Sequence, residues 1–484
     1  MKYVKLKRQI EYIILSVVLI LTVMGRSMFV LAAEDEYMQL AEERKELPIQ
    51  TDQIANWPAG PKIGAESAML VEINSGTVLY SKNIDMKEYP ASVTKMLTAL
   101  VALDNSNLDD MVVFSEEAVG SIDWREDANI GISAGDSITM EECLYGLLVG
   151  SANEVAYAIA EHISGPGNLE GFAKLMNEYA KKLGCTNSNF VTPNGIHDEN
   201  HYTTAHDLSL IATEFFSNEL LCKMSSTTTY QIPKSDTQPR DDMIVYAKSK
   251  LHPGREYGYE DLVGTKTGYT DIARQTLVSC AERGKMKLVC VIMKEEAPYQ
   301  FTDTIQLFDF GFDNFQEINI SDNDTKYSIK SLNFLSSSSD FFGSSKPILQ
   351  INNNDCVIIP LGERFENLTS EIGYEGLRKG ELARIRYFYN GAFVGYASVE
   401  PASDTAPVFD FGETDGDIEV QNDTEKVVVI NITMIIVIII GVSLILVLVF
   451  LLKNRYGGIF KRRRKSYKRY GNRRNLKIDR KRLK

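Results

Sequence analysis

Pro90-Ala91-Ser92-Val93-Thr94-Lys95-Met96-Leu97-Thr98-Ala99-Leu100 is the stretch on which the reading of this chain turns, and it holds the only Ser-x-x-Lys in the 484 residues. Met96, Leu97, Leu100, Val101 and Leu103 recur at roughly helical spacing, so the pattern predicts a helix opened by Ser92, with Pro90 just outside it. Residues three apart share a helix face, which sets the Lys95 amine one turn from the Ser92 hydroxyl. A serine hydroxyl is a weak nucleophile until a neighbouring base takes its proton. A lysine dehydrated in a cleft can be that base, because burial disfavours its charged form. The helix start adds N–H groups where negative charge would develop. The plainer reading is an N-capping serine followed by a solvated lysine. The choice between the two rests on the rest of the chain.

Two downstream stretches bear on it. Thr139-Met140-Glu141-Glu142 has the form of a capping box, and Cys143, Leu144, Leu147 and Leu148 follow before Gly150-Ser151-Ala152-Asn153. A new helical pattern begins at Glu154, so Ser151 and Asn153 are expected on a short connection between helices. There small polar side chains can face a cleft or simply cap a helix. Gly264-Thr265-Lys266-Thr267-Gly268-Tyr269-Thr270 precedes a β-rich run. It reads either as a strand with a polar face or as one that approaches a ligand closely and offers a lysine and a hydroxyl to a carboxylate.

Ser-x-x-Lys, Ser-x-Asn and Lys-Thr-Gly in this order resemble the signature set of the serine penicillin-binding proteins and β-lactamases. Thr192-Pro193-Asn194-Gly195 and His201-Tyr202-Thr203-Thr204-Ala205-His206-Asp207-Leu208 extend the likeness. With the Pro90–Lys95, Leu148–Glu154 and Lys266–Thr270 stretches they resemble the low-molecular-weight D-alanyl-D-alanine carboxypeptidases over roughly residues 60–310, with a weaker match in a C-terminal β domain. The resemblance implies an α+β catalytic domain of the β-lactamase/transpeptidase kind, an antiparallel sheet with a helical subdomain. It implies that Ser92 attacks the carbonyl between two terminal D-alanines of a peptidoglycan stem peptide, with Lys95 as base. On the same resemblance Ser151 would relay protons, Asn153 would hold the peptide, and Lys266 and Thr267 would receive the terminal carboxylate. Backbone N–H groups of Ser92 and of Tyr269, the residue after Gly268, would form the oxyanion hole. β-Lactams would acylate the same serine, and the resemblance implies no cofactor or metal. The family usually has Ala-Gly where this chain has Ala273-Arg274, a large cation that either alters the cleft edge or points to solvent. Two alternatives stay open: a β-lactamase, though no Glu-x-x-Leu-Asn lies between Asn153 and Lys266, and a catalytically idle, membrane-tethered wall-binding protein.

The remaining sequence suggests how such a domain is carried. Residues 1–33 have five Lys/Arg and one acid, an apolar run from Ile13 to Met24 and Val30-Leu31-Ala32-Ala33, the form of a secretory signal. Val427 to Leu452 is uncharged and long enough for a membrane span. The tail 453–484 carries sixteen Lys/Arg against one acid, which places it on the cytoplasmic side. The rest holds 31 basic and 63 acidic side chains, a poor match for nucleic acid. The expected division is signal 1–33, a loose polar lead-in 34–60, catalytic domain 61–315, a small all-β domain 316–401, acidic linker 402–426, transmembrane helix 427–452 and basic tail. Within the β domain, a Ser-rich turn (Ser336–Ser339) and an Asn390-Gly391 hairpin are expected. Six cysteines lack metal spacing, and Cys280 and Cys290 read as buried thiols.

Overall fold

Successive side chains of a strand face opposite sides of a sheet. In the strand Ser67–Glu72, Met69 and Val71 enter one apolar cluster while Ala68 and Leu70 enter another. The same split divides Val289, Val291 and Met293 from Leu288, Cys290 and Ile292 in Met286–Glu295. A sheet covered on both faces needs nearly continuous apolar strands, which is why these runs show little alternation in sequence.

The computed structural model describes residues 37–327, 349–378 and 380–401. Its central sheet is antiparallel and five-stranded, in the order Val78–Lys82, Ser67–Glu72, Met286–Glu295, Arg274–Arg283, Leu262–Thr270. A turn at Asn74-Ser75-Gly76 joins the first two, held by the Glu72 carboxylate, which accepts from Ser75 N and Oγ at 2.8 and 2.7 Å. Helices Lys95–Asn105, Met140–Leu148, Asn153–Ser164, Leu169–Lys182, Ala205–Ser217 and Glu219–Ser226 build the cluster on one face. Tyr299–Asn314 packs on the other. Thr139 makes the full capping box with Glu142. Thr204 caps its helix, but Asp207 turns to Asn187 N and Ser188 Oγ instead of returning to the cap. A small antiparallel pair of Met111–Val113 with Ser137–Thr139 interrupts the helical segment; three-residue strands are too short to leave an alternating pattern.

A second sheet orders Phe315–Asn319, Cys356–Pro360, Ala392–Pro401, Ala383–Tyr389 and Thr369–Gly373, with Leu349–Ile351 also on Ala392–Pro401. Asn390 and Gly391 have φ of 47° and 85°, the pair of positive values that a tight two-residue hairpin requires. Trp57 lies between this sheet and the five-stranded one: its Nε1 donates to Leu79 O at 3.0 Å, and its ring is 5.1 Å from Phe315 and 6.3 Å from Tyr389 between centroids.

The lead-in is not loose from residue 37 onward. Residues 37–44 are helical, and Arg44 is buried, 3.6 Å from both Glu66 and Glu296, and donates to Lys294 O at 2.9 Å. Lys82 Nζ donates to Arg44 O and Ile63 O, each at 2.8 Å. Polar composition alone misleads here because the partners of these charges lie far away in sequence. All six cysteines are free thiols, Cys222 alone not fully buried. Among the described residues no helix is long and apolar enough to cross a membrane. The expected signal, Ser-rich turn, acidic linker, span and basic tail lie outside the described residues.

Candidate active site

Ser92 sits in a 3-10 turn, Ala91–Thr94, that runs straight into the helix Lys95–Asn105, so the helix opens one turn later than its apolar spacing predicts. The expected meeting holds: Lys95 Nζ is 2.7 Å from Ser92 Oγ. The same Nζ contacts Asn153 Oδ1 at 2.7 Å and Asn194 O at 2.8 Å. Lys95 is fully buried and forms no salt bridge in the described structure. Burial first, and the nearby charge of Lys266 second, hold its amine well below the usual lysine range. Two of its three partners are oxygens that can only accept, so a neutral amine spends both N–H bonds on Asn153 and Asn194. Its lone pair then faces the one partner able to donate, the Ser92 hydroxyl.

Ser151 and Asn153 come from the connection after Met140–Leu148, with Asn153 already the first residue of the next helix. Ser151 adopts φ 59°, a left-handed turn that directs its hydroxyl at Lys266, whose Nζ donates to it at 2.8 Å and to Thr267 O at 2.7 Å. Lys266 is also buried, and burial with the charge of Lys248 pulls it down to about 7. Ser92, Lys95 and Asn153 thus form one linked set, and Ser151 with Lys266 a second.

Gly268 brings the strand alongside the serine. A Cβ there would lie 2.3 Å from Thr276 Oγ1 and 2.9 Å from Ser92 N, so only glycine permits the approach. Thr276 Oγ1 donates to Pro90 O at 2.9 Å and pins the neighbouring strand to the same turn. Thr267 is half-buried beside Lys266; Tyr269 turns its ring to the rim, where its hydroxyl donates to Asp271 Oδ1 at 2.9 Å.

Several contributors were not read as site residues from sequence. The carbonyl of Asn194 reaches Lys95 because the Thr192–Gly195 loop is strapped beneath the helix, with Thr98 Oγ1 donating to Pro193 O at 2.6 Å. Gly195 at φ +79° is the signal: a Cβ there would sit 1.9 Å from Ala91 O. His201 braces the same loop. Its Nδ1 accepts from Val191 N and Thr192 N at 3.1 and 3.2 Å, leaving the Nε2–H to donate to Thr94 Oγ1 at 2.9 Å. Burial pulls this imidazole down to about 4, so it is neutral in the working range. Glu154 is buried, accepts from Ile130 N at 2.7 Å, and burial pushes its carboxyl up to about 7.

Against known proteins, the family model for D-alanyl-D-alanine carboxypeptidase matches residues 54–297. The chain belongs to this family. Among its curated members, D-alanyl-D-alanine carboxypeptidase DacF of Bacillus subtilis is 33% identical over 260 residues, covering 52% of this chain and 63% of that protein. The Haemophilus influenzae enzyme DacA is 30% identical over 264 residues, covering 53% and 64%. The chain therefore spans less than two thirds of the length of these relatives. Among solved structures, the Streptomyces K15 DD-transpeptidase is 26% identical with a TM-score of 0.49, covering 53% of this chain and 99% of that one. Ser92, Lys95, Ser151, Asn153, Lys266, Thr267, Gly268 and Tyr269 all fall inside the carboxypeptidase family match, as does Arg274; residues 37–53 precede it.

Proposed function

We propose that this protein is a serine-type D-Ala-D-Ala carboxypeptidase that removes the terminal D-alanine of peptidoglycan stem pentapeptides through an acyl-enzyme, and that penicillin acylates the same serine. The observation that carries the reading is the buried Lys95 amine, 2.7 Å from Ser92 Oγ with no carboxylate paired to it among the described residues. Its lone pair takes the hydroxyl proton as Oγ attacks the carbonyl between the two D-alanines. The negative oxygen that forms is stabilised by the N–H groups of Ser92 and Tyr269. Lys266 and Thr267 receive the substrate's terminal carboxylate by charge and hydroxyl, and Asn153 holds the peptide. As the C–N bond breaks, a proton returns through Ser151 to the departing amine, and D-alanine leaves. Water then hydrolyses the ester and regenerates Ser92.

The body works on the wall side of a membrane in this reading. Residues 1–33 direct export, 427–452 span the bilayer and the basic 453–484 remain in the cytoplasm, against anionic lipid. Division into a catalytic domain 61–315, a β domain 316–401 and an acidic tether 402–426 accompanies it.

Mass spectrometry of a pentapeptide incubated with the protein tests the activity. Loss of one D-alanine, abolished by Ser92→Ala, is the expected result. Intact pentapeptide together with rapid turnover of penicillin would replace the reading with a β-lactamase; neither reaction would leave a wall-binding role.

A further inference from the structure

Arg274 occupies a backbone conformation that suits it poorly. Its φ is +54°, in the left-handed region that glycine enters freely and a residue with a Cβ only at a cost. Strain of this kind persists only where surroundings enforce it, and it gathers at functional sites. Here Glu296, itself buried, grips the guanidinium, with Nη2–Oε2 at 2.6 Å and Nε–Oε2 at 3.0 Å. The centroid of the Tyr37 ring lies 3.8 Å from the guanidinium carbon, and that of Tyr269 stands 5.8 Å away on the same cation. Arg274 therefore neither points to solvent nor merely edges the cleft.

The helical segment 37–44, which precedes the family match, supplies two of the supports. Tyr37 gives the covering ring, and Arg44 braces Glu296 at its other oxygen, Nη1–Oε1 at 3.6 Å. The remaining charges belong to the same network: Arg44 also lies 3.6 Å from Glu66, to which Lys294 is bound at 2.6 Å. What this clamp holds follows from the sheet. Leu262–Thr270 is an edge strand, paired with Arg274–Arg283 alone among the described strands. Its last two pairs are Tyr269 with Gln275 and Thr270 with Arg274. Fraying at Arg274 would swing the backbone of Tyr269, whose N–H serves the oxyanion hole in the proposed carboxypeptidase reading, on which this inference rests.

We propose that Tyr37, Arg274 and Glu296 form a positioning clamp for the oxyanion hole. The clamp holds the left-handed turn at Arg274 and, through the Thr270–Arg274 pair, fixes the Tyr269 N–H beside Ser92. Arg274 acts through Tyr269 and does not touch the substrate.

The test measures D-alanine release from L-Ala-γ-D-Glu-L-Lys-D-Ala-D-Ala, with acylation by a fluorescent penicillin alongside. Arg274→Ala keeps the strained backbone and removes its grip, whereas Arg274→Gly removes grip and strain together. The alanine variant should lose about tenfold in kcat with KM little changed, because a donor is misplaced in the transition state. The hole serves both formation and hydrolysis of the acyl-enzyme, so kcat falls whichever step limits it. Arg274→Gly should recover most of the loss. Tyr37 is exposed, so its replacement leaves the core intact. Tyr37→Ala should lose about threefold in kcat, as an exposed cation–ring contact allows, and Tyr37→Phe should not. Beside Arg274→Gly the Tyr37→Ala loss should vanish. If Arg274→Ala does not fold, the two Tyr37 variants decide alone. Wild-type kcat in Arg274→Ala, or a loss confined to KM, overturns the clamp. Equal losses in Arg274→Ala and Arg274→Gly overturn the part played by backbone strain, and a Tyr37→Ala loss that persists beside Arg274→Gly overturns the coupling. Wild-type protein that neither releases D-alanine nor takes penicillin at Ser92 overturns the underlying reading, and the clamp with it.

Discussion

Replacing Asn153 by aspartate tests whether Lys95 works as a neutral amine. Asn153 Oδ1 lies 2.7 Å from Lys95 Nζ, and the substitution is nearly isosteric, so the contact survives while its partner gains a negative charge. An opposite charge within hydrogen-bond reach favours the protonated lysine and raises its pKa by about 1–3 units. The sign follows: burial keeps the wild-type amine neutral to lower pH, whereas the carboxylate introduced by Asn153→Asp would keep it an ammonium to higher pH. If acylation needs the lone pair, the acid limb of its pH profile should move to higher pH by about 1–3 units. At any pH on that limb the rate should then drop about 10- to 1000-fold. The measurement is the second-order rate of acylation by a fluorescent penicillin across about pH 5 to 9, where catalytic bases are commonly tuned. Using the position of the limb rather than its height separates proton transfer from any loss of substrate holding by Asn153. An unshifted limb with Ser92 still labelled would refute the assignment of Lys95 as the base.

Gly195→Ala should lower thermal stability, because an added Cβ meets Ala91 O and the residue must stay at positive φ. Left-handed strain of about 1–2 kcal/mol plus overpacking of about 1–3 kcal/mol predicts a Tm loss of roughly 5–15 °C by calorimetry. An unchanged Tm would mean the loop does not pack under Ser92. Lys266, pulled down to about 7 by burial, binds its proton less readily folded than unfolded, so stability should rise as pH increases from there toward the unfolded lysine value of 10.5. Urea midpoints near pH 7.5 and 9.5 should show that rise shrinking in Lys266→Met. For topology, cysteine labels placed near Asp415 and near Lys477 in a variant lacking native cysteines should react differently with an impermeant thiol reagent on intact cells. The first should be modified and the second spared; labelling at Lys477 would reverse the proposed orientation.

What the sequence determined by itself was local chemistry. Ser92 and Lys95 meet because three residues is one helical turn, and that spacing can be read without knowing what surrounds it. The Thr139 capping box and the Asn390-Gly391 hairpin are likewise carried by a few adjacent residues. Ala383, Ile385 and Tyr387 alternate with Arg384 and Arg386 in the sequence itself, and in the strand Ala383–Tyr389 those three are buried. Only the tertiary structure decided that Lys95 is a buried amine with no counter-ion among the described residues, since its contacts with Asn153 and Asn194 are supplied by residues 58 and 99 positions away. It also decided that the polar segment 37–60 is a fastened part of the body, because Arg44 finds Glu66, Lys294 and Glu296 across the fold. The role of Arg274 was undecidable from its own neighbourhood for the same reason: the carboxylate that grips it and the ring that covers it come from Glu296 and Tyr37. Spacing along a chain encodes which groups share a turn or a face, whereas burial and charge pairing depend on segments that folding alone brings together.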